Sequence, residues 1–222
     1  MKCGMRVKSL SEQVYDYINR LIRTGELKNN DKIDDVALVE TLGVSRTPIR
    51  EALIQLTSDG LLTNKPRKGF FVKEQSQEEM DQAFQVIACL DCYALELAMK
   101  NADKAKLLNS LRMCIDEIDL SIKEENYEKY YDWQENFHVT YQSECGNIFL
   151  QKELHGLLRR WLRMTYYDND KYKLFHLLPF INDQHKAVVK SLEQNDIEQA
   201  KRILWDHWTR EYECVTTKSD DE

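Results

Sequence analysis

Proline and glycine are scarce in this chain of 222 residues, which holds 3 prolines and 7 glycines. No proline occurs between Lys68 and Pro179, and beyond residue 78 glycine appears only at Gly146 and Gly156. That scarcity excludes a turn-rich β-domain over most of the chain and leaves long helices. No apolar run approaches the roughly 18 residues needed to cross a membrane. The basic N-terminus is not followed by the apolar core of a signal peptide, so a cytoplasmic location is expected. HExxH pairs, nucleophile motifs and Gly-rich phosphate loops are missing, so no enzyme is expected; a metal-dependent hydrolase is the one enzymatic alternative. A single CxxC, Cys89 to Cys92, falls inside a helical stretch with no second pair. It and the scattered Cys3, Cys114, Cys145 and Cys214 read as buried reduced thiols rather than a zinc or redox site.

Charge is present but divided. The net charge of −7 conceals 13 Lys and Arg against 9 Asp and Glu in residues 1–73, and 18 against 29 in residues 74–222. A basic head on an acidic body suits a protein whose head alone meets phosphate.

Within that head the stretch Ser45-Arg46-Thr47-Pro48-Ile49-Arg50-Glu51 follows a short acidic helix and a Gly43-Val44 turn. It opens a helix whose Ile49, Ala52, Leu53 and Leu56 share one stripe. Ser45 is placed to cap that helix, and Pro48 is tolerated in its first turn, where amides have no intrahelical partner. The pattern is a helix-turn-helix with Arg46 and Arg50, four apart, at the start of a recognition helix. Leu61–Thr63 and Gly69–Val72 then read as strands of a hairpin wing with Lys65, Arg67 and Lys68 at its tip. Ser45, Arg46, Thr47 and Arg50 are the candidate base or phosphate contacts. Lys65, Arg67 and Lys68 are candidates for backbone or minor groove, with Gly69 allowing close approach.

After a polar linker at 74–78, six helices are expected near 78–100, 103–124, 126–144, 147–169, 177–194 and 196–215, with Asp103 and Asn126 as caps. The expected organisation is a winged-helix domain at 1–73, an all-helical domain at 79–216 and a disordered acidic tail at 217–222. The fold class is mainly α: an N-terminal winged helix-turn-helix plus a C-terminal all-α six-helix bundle. His138, His185 and His207 lie on the apolar stripes of three different helices. Three converging imidazoles suit a divalent metal, since neutral imidazole is a common metal ligand; spacing along the chain does not itself establish convergence.

The run from Leu42 through Leu53 to Asp59-Gly60-Leu61-Leu62 resembles the winged-helix reader head of the GntR family of bacterial transcription regulators. Asn136-Phe137-His138, Cys145-Gly146-Asn147, Asp183 through Val188 and Ala200 through His207 resemble the FCD-type effector domain of one branch of that family. The resemblance implies an all-helical bundle in which three histidines and an acidic residue hold a metal beside a small carboxylate. It assigns His138, His185 and His207 to the histidine positions and Gln134, a neutral amide, to the acidic one. The arginine that many members direct at the effector falls at Ile87, leaving Arg159 and Arg163 as candidate effector contacts. The same resemblance implies a homodimeric regulator, with a repressor expected, on an inverted-repeat operator. Its affinity would respond to a small carboxylate, with or without zinc or nickel. The alternative is a bundle that serves only as a dimerisation module.

Overall fold

The computed structural model describes residues 8–161 and 171–216, with the backbone alone for 171–174 and 210–216. The described chain falls into two compact units, one up to Ser76 and one from Gln77 onward.

The first unit begins with α1 (Leu10–Arg23), whose Ser9 and Glu12 form a reciprocal capping box. Helix α2 (Asp35–Leu42) starts on Asp34, which accepts from the amides of Val36 and Ala37, and stops at Gly43 in the left-handed region at φ 63°. Helix α3 (Arg46–Ser58) presses Ile49, Ala52, Leu53 and Leu56 into a core shared with Val14, Ile18, Ile22, Leu61 and Leu62. Burying each leucine, isoleucine or valine among them is worth about 1.5–3 kcal/mol. Ser45 occupies the cap position of α3 but makes no side-chain capping bond, contrary to expectation. The usual donors are the second and third helical amides, and the third residue is Pro48, which has no N–H.

Strands β1 (Leu62–Lys65) and β2 (Gly69–Val72) pair antiparallel, with Leu62 opposite Val72 and Lys65 opposite Gly69. The expected hairpin forms, with its first strand reaching Lys65. Asp31–Ile33 runs along its edge: the Ile33 amide donates to Phe70 O at 2.9 Å and the Val72 amide to Asp31 O at 2.9 Å.

The second unit holds α4 (Gln77–Asn101), α5 (Lys104–Lys123), α6 (Tyr127–Glu144), α7 (Ile148–Trp161), α8 (Lys171–Glu193) and α9 (Ile197–Thr216). Asp103 and Asn126 cap α5 and α6 as expected. Gly146 has φ 71°, and a Cβ there would meet Asn101 Nδ2 at 2.8 Å, so a side chain would strain the backbone and displace the amide that donates to Cys145 O. Helix α8 begins six residues before the expected 177, and Pro179 lies inside it, on an exposed turn. The missing Pro179 N–H leaves one helical carbonyl without its usual donor, which the solvated side of a helix tolerates best. Residues 162–169 of the expected fourth helix, the N-terminal residues 1–7 and the acidic tail lie outside the described residues.

Five of these helices close a ring. Helix α4 packs on α6, α6 on α5, α5 on α8, α8 on α9 and α9 back on α4, while α7 packs on α4. Helix α4 is long and apolar enough to cross a membrane by composition, with a mean hydropathy of 1.2 over 18 residues. Its inward stripe of Phe84, Ile87, Ala88, Leu95 and Ala98 is buried in the ring, the environment of a core helix.

Candidate functional sites

On the head, Ser45, Arg46, Thr47 and Arg50 are all exposed at the N-terminal end of α3, while Ile49 between them is buried. The helical period thus anchors one face and frees the other. Lys65, Arg67 and Lys68 are exposed on the wing. The turn is closed by the Lys68 amide donating to Lys65 O at 3.0 Å. Pro66 sets its entry, and Arg67 takes φ 63°, a left-handed backbone that glycine would adopt at lower cost. Gly69 has φ 98°, so backbone conformation is what requires glycine there. The Lys65 ammonium lies 4.5 Å from the centroid of the Phe71 ring, a cation–π contact that holds its stem against the sheet.

In the bundle, His138 from α6, His185 from α8 and His207 from α9 come together. Their ring centroids are 5.4, 5.2 and 4.7 Å apart, and one nitrogen from each lies within 4.8 Å of the others. All three rings are about 1% exposed. Each Nδ1 is engaged from outside the triangle. His138 Nδ1 faces Asp91 Oδ2 at 3.1 Å and Tyr141 Oη at 2.8 Å. His185 Nδ1 faces Asn182 Oδ1 at 3.3 Å, and His207 Nδ1 faces Gln184 Oε1 at 2.8 Å. Asn182 is itself fixed, because its amide group donates to Ile115 O and Asp119 Oδ1 on α5.

With an acceptor at Nδ1, a neutral imidazole carries its proton there and leaves Nε2 as a lone pair. The Nε2 atoms of His138 and His185 are buried and hydrogen-bond to nothing. Burial, then the neighbouring imidazoles, holds His185 and His207 well below the ordinary histidine range, so both are neutral. Buried, neutral, oriented nitrogens without a partner are what a divalent ion of borderline softness binds, and orphaned buried acceptors are otherwise costly.

Gln134, one turn before His138, is buried, whereas Glu135 is only half-buried. Among the described residues no carboxylate joins the three-histidine group. Ile87 is fully buried on α4. Arg159 is half-buried on α7; Arg163 lies outside the described residues. His155 and His176 are exposed, away from the triangle. Cys92, Cys114 and Cys145 are buried free thiols, but Cys89 is exposed, so the uniform burial expected of the cysteines fails there. The Cys92 thiol is pushed up to about 12, by burial and then by the neighbouring Asp91 charge. Such a thiol stays protonated, which disfavours redox or zinc chemistry at the CxxC.

Sequence reasoning missed Asp91. This fully buried carboxylate accepts from Gln142 Nε2 at 2.7 Å, Tyr141 Oη at 2.5 Å and Trp208 Nε1 at 2.8 Å, besides facing His138. Its signal was a lone acid on the otherwise apolar inward stripe of α4. The amides of Asn182 and Gln184 gave no comparable signal.

An exposed, arginine-bearing second helix beside a basic wing defines a winged helix-turn-helix DNA-binding protein, here followed by a helical bundle with a buried polar centre. Residues 10–72 match the family described as bacterial regulatory proteins, gntR family, and residues 82–210 match the FCD domain. The chain therefore belongs to the GntR family of transcription regulators, in its FCD-containing branch. It is 26% identical over 204 residues to the uncharacterised HTH-type transcriptional regulator YdhC of Bacillus subtilis, covering 90% of this chain and 88% of that one. It is 25% identical over 215 residues to the HTH-type transcriptional repressor GlaR of Escherichia coli, covering 87% and 90%. Among solved structures, E. coli McbR/YncC superposes with a TM-score of 0.81 at 21% identity, over 96% of this chain and all of that one. A GntR regulator from Rhodococcus sp. RHA1 gives a TM-score of 0.74 at 19% identity, over 94% and 98%.

Proposed function

We propose that this DNA-binding regulator is a homodimeric repressor whose operator affinity is set by a divalent metal, zinc or nickel, at His138, His185 and His207. Gln134 is the proposed fourth contact. The observation that carries the metal reading is the closed triangle of buried imidazoles, each held by an acceptor at Nδ1, with Nε2 of His138 and His185 unsatisfied.

In this reading α3 enters the major groove. Arg46 and Arg50 address guanine edges or phosphates, Ser45 and Thr47 make shorter contacts, and Lys65, Arg67, Lys68 and the Gly69 backbone follow the adjacent phosphates. A two-fold dimer presents two heads to an inverted repeat. The outward face of α4 supports dimerisation: Val86 and Tyr93 are each 49% exposed, Cys89 lies between them, and Trp205 of α9 flanks the groove. An apolar face of that kind suits a second copy of the chain. The ligand acts through its differential affinity for two arrangements of heads and bundles. A small carboxylate beside the metal, met by Arg159 and Arg163, is the proposed organic effector. The alternative, a bundle used for dimerisation alone, is favoured by Gln134 and Ile87.

The deciding experiment measures metal content per chain on protein purified without chelator or affinity metal, and operator binding with and without zinc or nickel. The same measurements on His185→Ala are the control. Near-stoichiometric metal that disappears in the control, with a metal-dependent change in operator affinity, is the expected result. No metal and no response in wild type would leave the dimerisation reading. Arg50→Ala, with bundle and dimer intact, loses specific operator binding. Normal binding by that variant would remove the recognition-helix assignment.

A further inference from the structure

Asp91 stands apart from every other buried group in the bundle. Its carboxylate is fully enclosed, and the side chains that donate to it, Tyr141, Gln142 and Trp208, are neutral. Desolvating a carboxylate among neutral donors is expensive, and charge-assisted hydrogen bonds recover only part of that cost. The carboxylate also faces Nδ1 of His138, a ring whose other nitrogen, Nε2, is buried and hydrogen-bonds to nothing. The three imidazoles are neutral ligands, and Gln134 adds no charge.

We propose that Asp91 is a positioning residue of the three-histidine site. Hydrogen-bonded through the His138 ring, it fixes that ring's lone pair on Nε2 and supplies from one residue further out the negative charge that Gln134 lacks. This rests on reading His138, His185 and His207 as a divalent-metal site. The physics is that of a carboxylate–histidine–metal relay: the outer carboxylate makes the imidazole a more basic ligand and offsets the ion's charge through it. Asp91 also joins helices. It belongs to α4, accepts from α6 and α9, and together with Asn182, which ties α8 to α5, links the site to all five helices of the ring. Trp208, which donates to Asp91, stacks on Phe84 at 5.9 Å and lies 4.6 Å from the His138 ring, so the indole reports directly on this assembly.

The chemistry of the donors makes the test clean. Trp208 Nε1 can only donate, so the atom at the Oδ2 position must be an acceptor. In Asp91→Asn the amide oxygen therefore stays at Oδ2, and its NH2 turns toward Gln142, whose own amide flips to accept. Charge is removed while the His138 tautomer is kept.

The experiment uses the full chain. Histidine tautomers are read from long-range 1H–15N spectra of the metal-free protein, and zinc affinity from competition with a chromophoric chelator. Wild type is expected to carry the His138 proton on Nδ1. Asp91→Asn is expected to keep it there and bind zinc about 10- to 100-fold more weakly. Adding Gln134→Glu to Asp91→Asn recovers most of the loss, because a charge has been returned to the site. Gln142→Ala, which removes a donor but no charge, leaves zinc affinity within about threefold even where it lowers the melting temperature. A folded Asp91→Asn that binds zinc like wild type overturns the proposal. So does a wild-type spectrum with the His138 proton on Nε2, which decides the matter even if Asp91→Asn fails to fold. Wild type that binds no zinc removes the underlying site as well, an outcome distinct from zinc-binding wild type and variant that behave alike.

Discussion

The head and the bundle place their candidate functional residues in opposite environments. In the head, Arg46, Arg50, Arg67 and Lys68 are exposed above a largely apolar core in which Asn19 is also buried. In the bundle the candidates are the core: His138, His185, His207 and Asp91 are enclosed among Phe137, Tyr141 and Trp208. A side chain that reads a large polyanion must stay solvated until the partner arrives, and one that holds a small ion gains by losing water beforehand. Function and stability are therefore separable in the head and entangled in the bundle.

The two units also carry different reporters. Every tryptophan and every histidine lies beyond residue 73, so tryptophan emission and histidine titration read the bundle, and operator binding reads the head.

The largest test of that separation is a core truncation in each unit. Leu56→Ala in the head and Leu111→Ala in the bundle each remove a side chain with no exposure and cost about 2–5 kcal/mol. Leu56→Ala should lose operator binding and leave the tryptophan melting transition in place, whereas Leu111→Ala should move that transition. If either variant moves both readouts, the units are not separable.

Acid comes next. Unfolded histidine takes up a proton near pH 6.5, while His185 and His207 resist doing so in the fold. Below about pH 6.5 the unfolded state thus binds more protons, and stability of the metal-free bundle falls as pH falls, by about 1.4 kcal/mol per pH unit for each histidine. The head contains no histidine and should be indifferent over pH 5–7. A melting temperature by tryptophan emission that is flat from pH 7 to 5 would contradict buried neutral rings.

Smaller effects sharpen the head itself. Asp34→Ala removes the cap that α2 uses and should cost about 0.5–2 kcal/mol. Ser45→Ala, which removes no capping bond, should leave stability unchanged and weaken DNA binding only if the hydroxyl contacts DNA. Smallest is Lys68→Ala, expected to reduce the salt dependence of operator binding by about one phosphate contact with no change in melting. A change in sequence preference instead would move Lys68 from the phosphates to the base edges.

Much of the head was legible in the sequence because its determinants are local. Gly43 turns the chain, Asp34 starts α2, and a stripe at helical spacing buries one face of α3 and leaves Arg46 and Arg50 outside. The cap expected at Ser45 failed because a proline removes a donor, and the first wing strand starts at Leu62 and runs on to Lys65. In the bundle the same spacing placed His138, His185 and His207 on inward faces and went no further. Asp91 lies 47 residues from His138 and 117 from Trp208, so no periodicity links them.

Among the described residues, which leave out the expected end of α7, the sequence by itself determined where helices begin and end, with the exception of the start of α8, and which faces are apolar, because caps, turns and periodicity act over a few residues. It also determined which unit is basic. The tertiary structure alone decided that α4, α5, α6, α8 and α9 close a ring, that three imidazoles meet within it, and that a buried carboxylate on a further helix of that ring orients one of them. Helix packing sets distances between residues far apart in the chain, and a helix's own spacing carries no information about which rotation or register its neighbours will take.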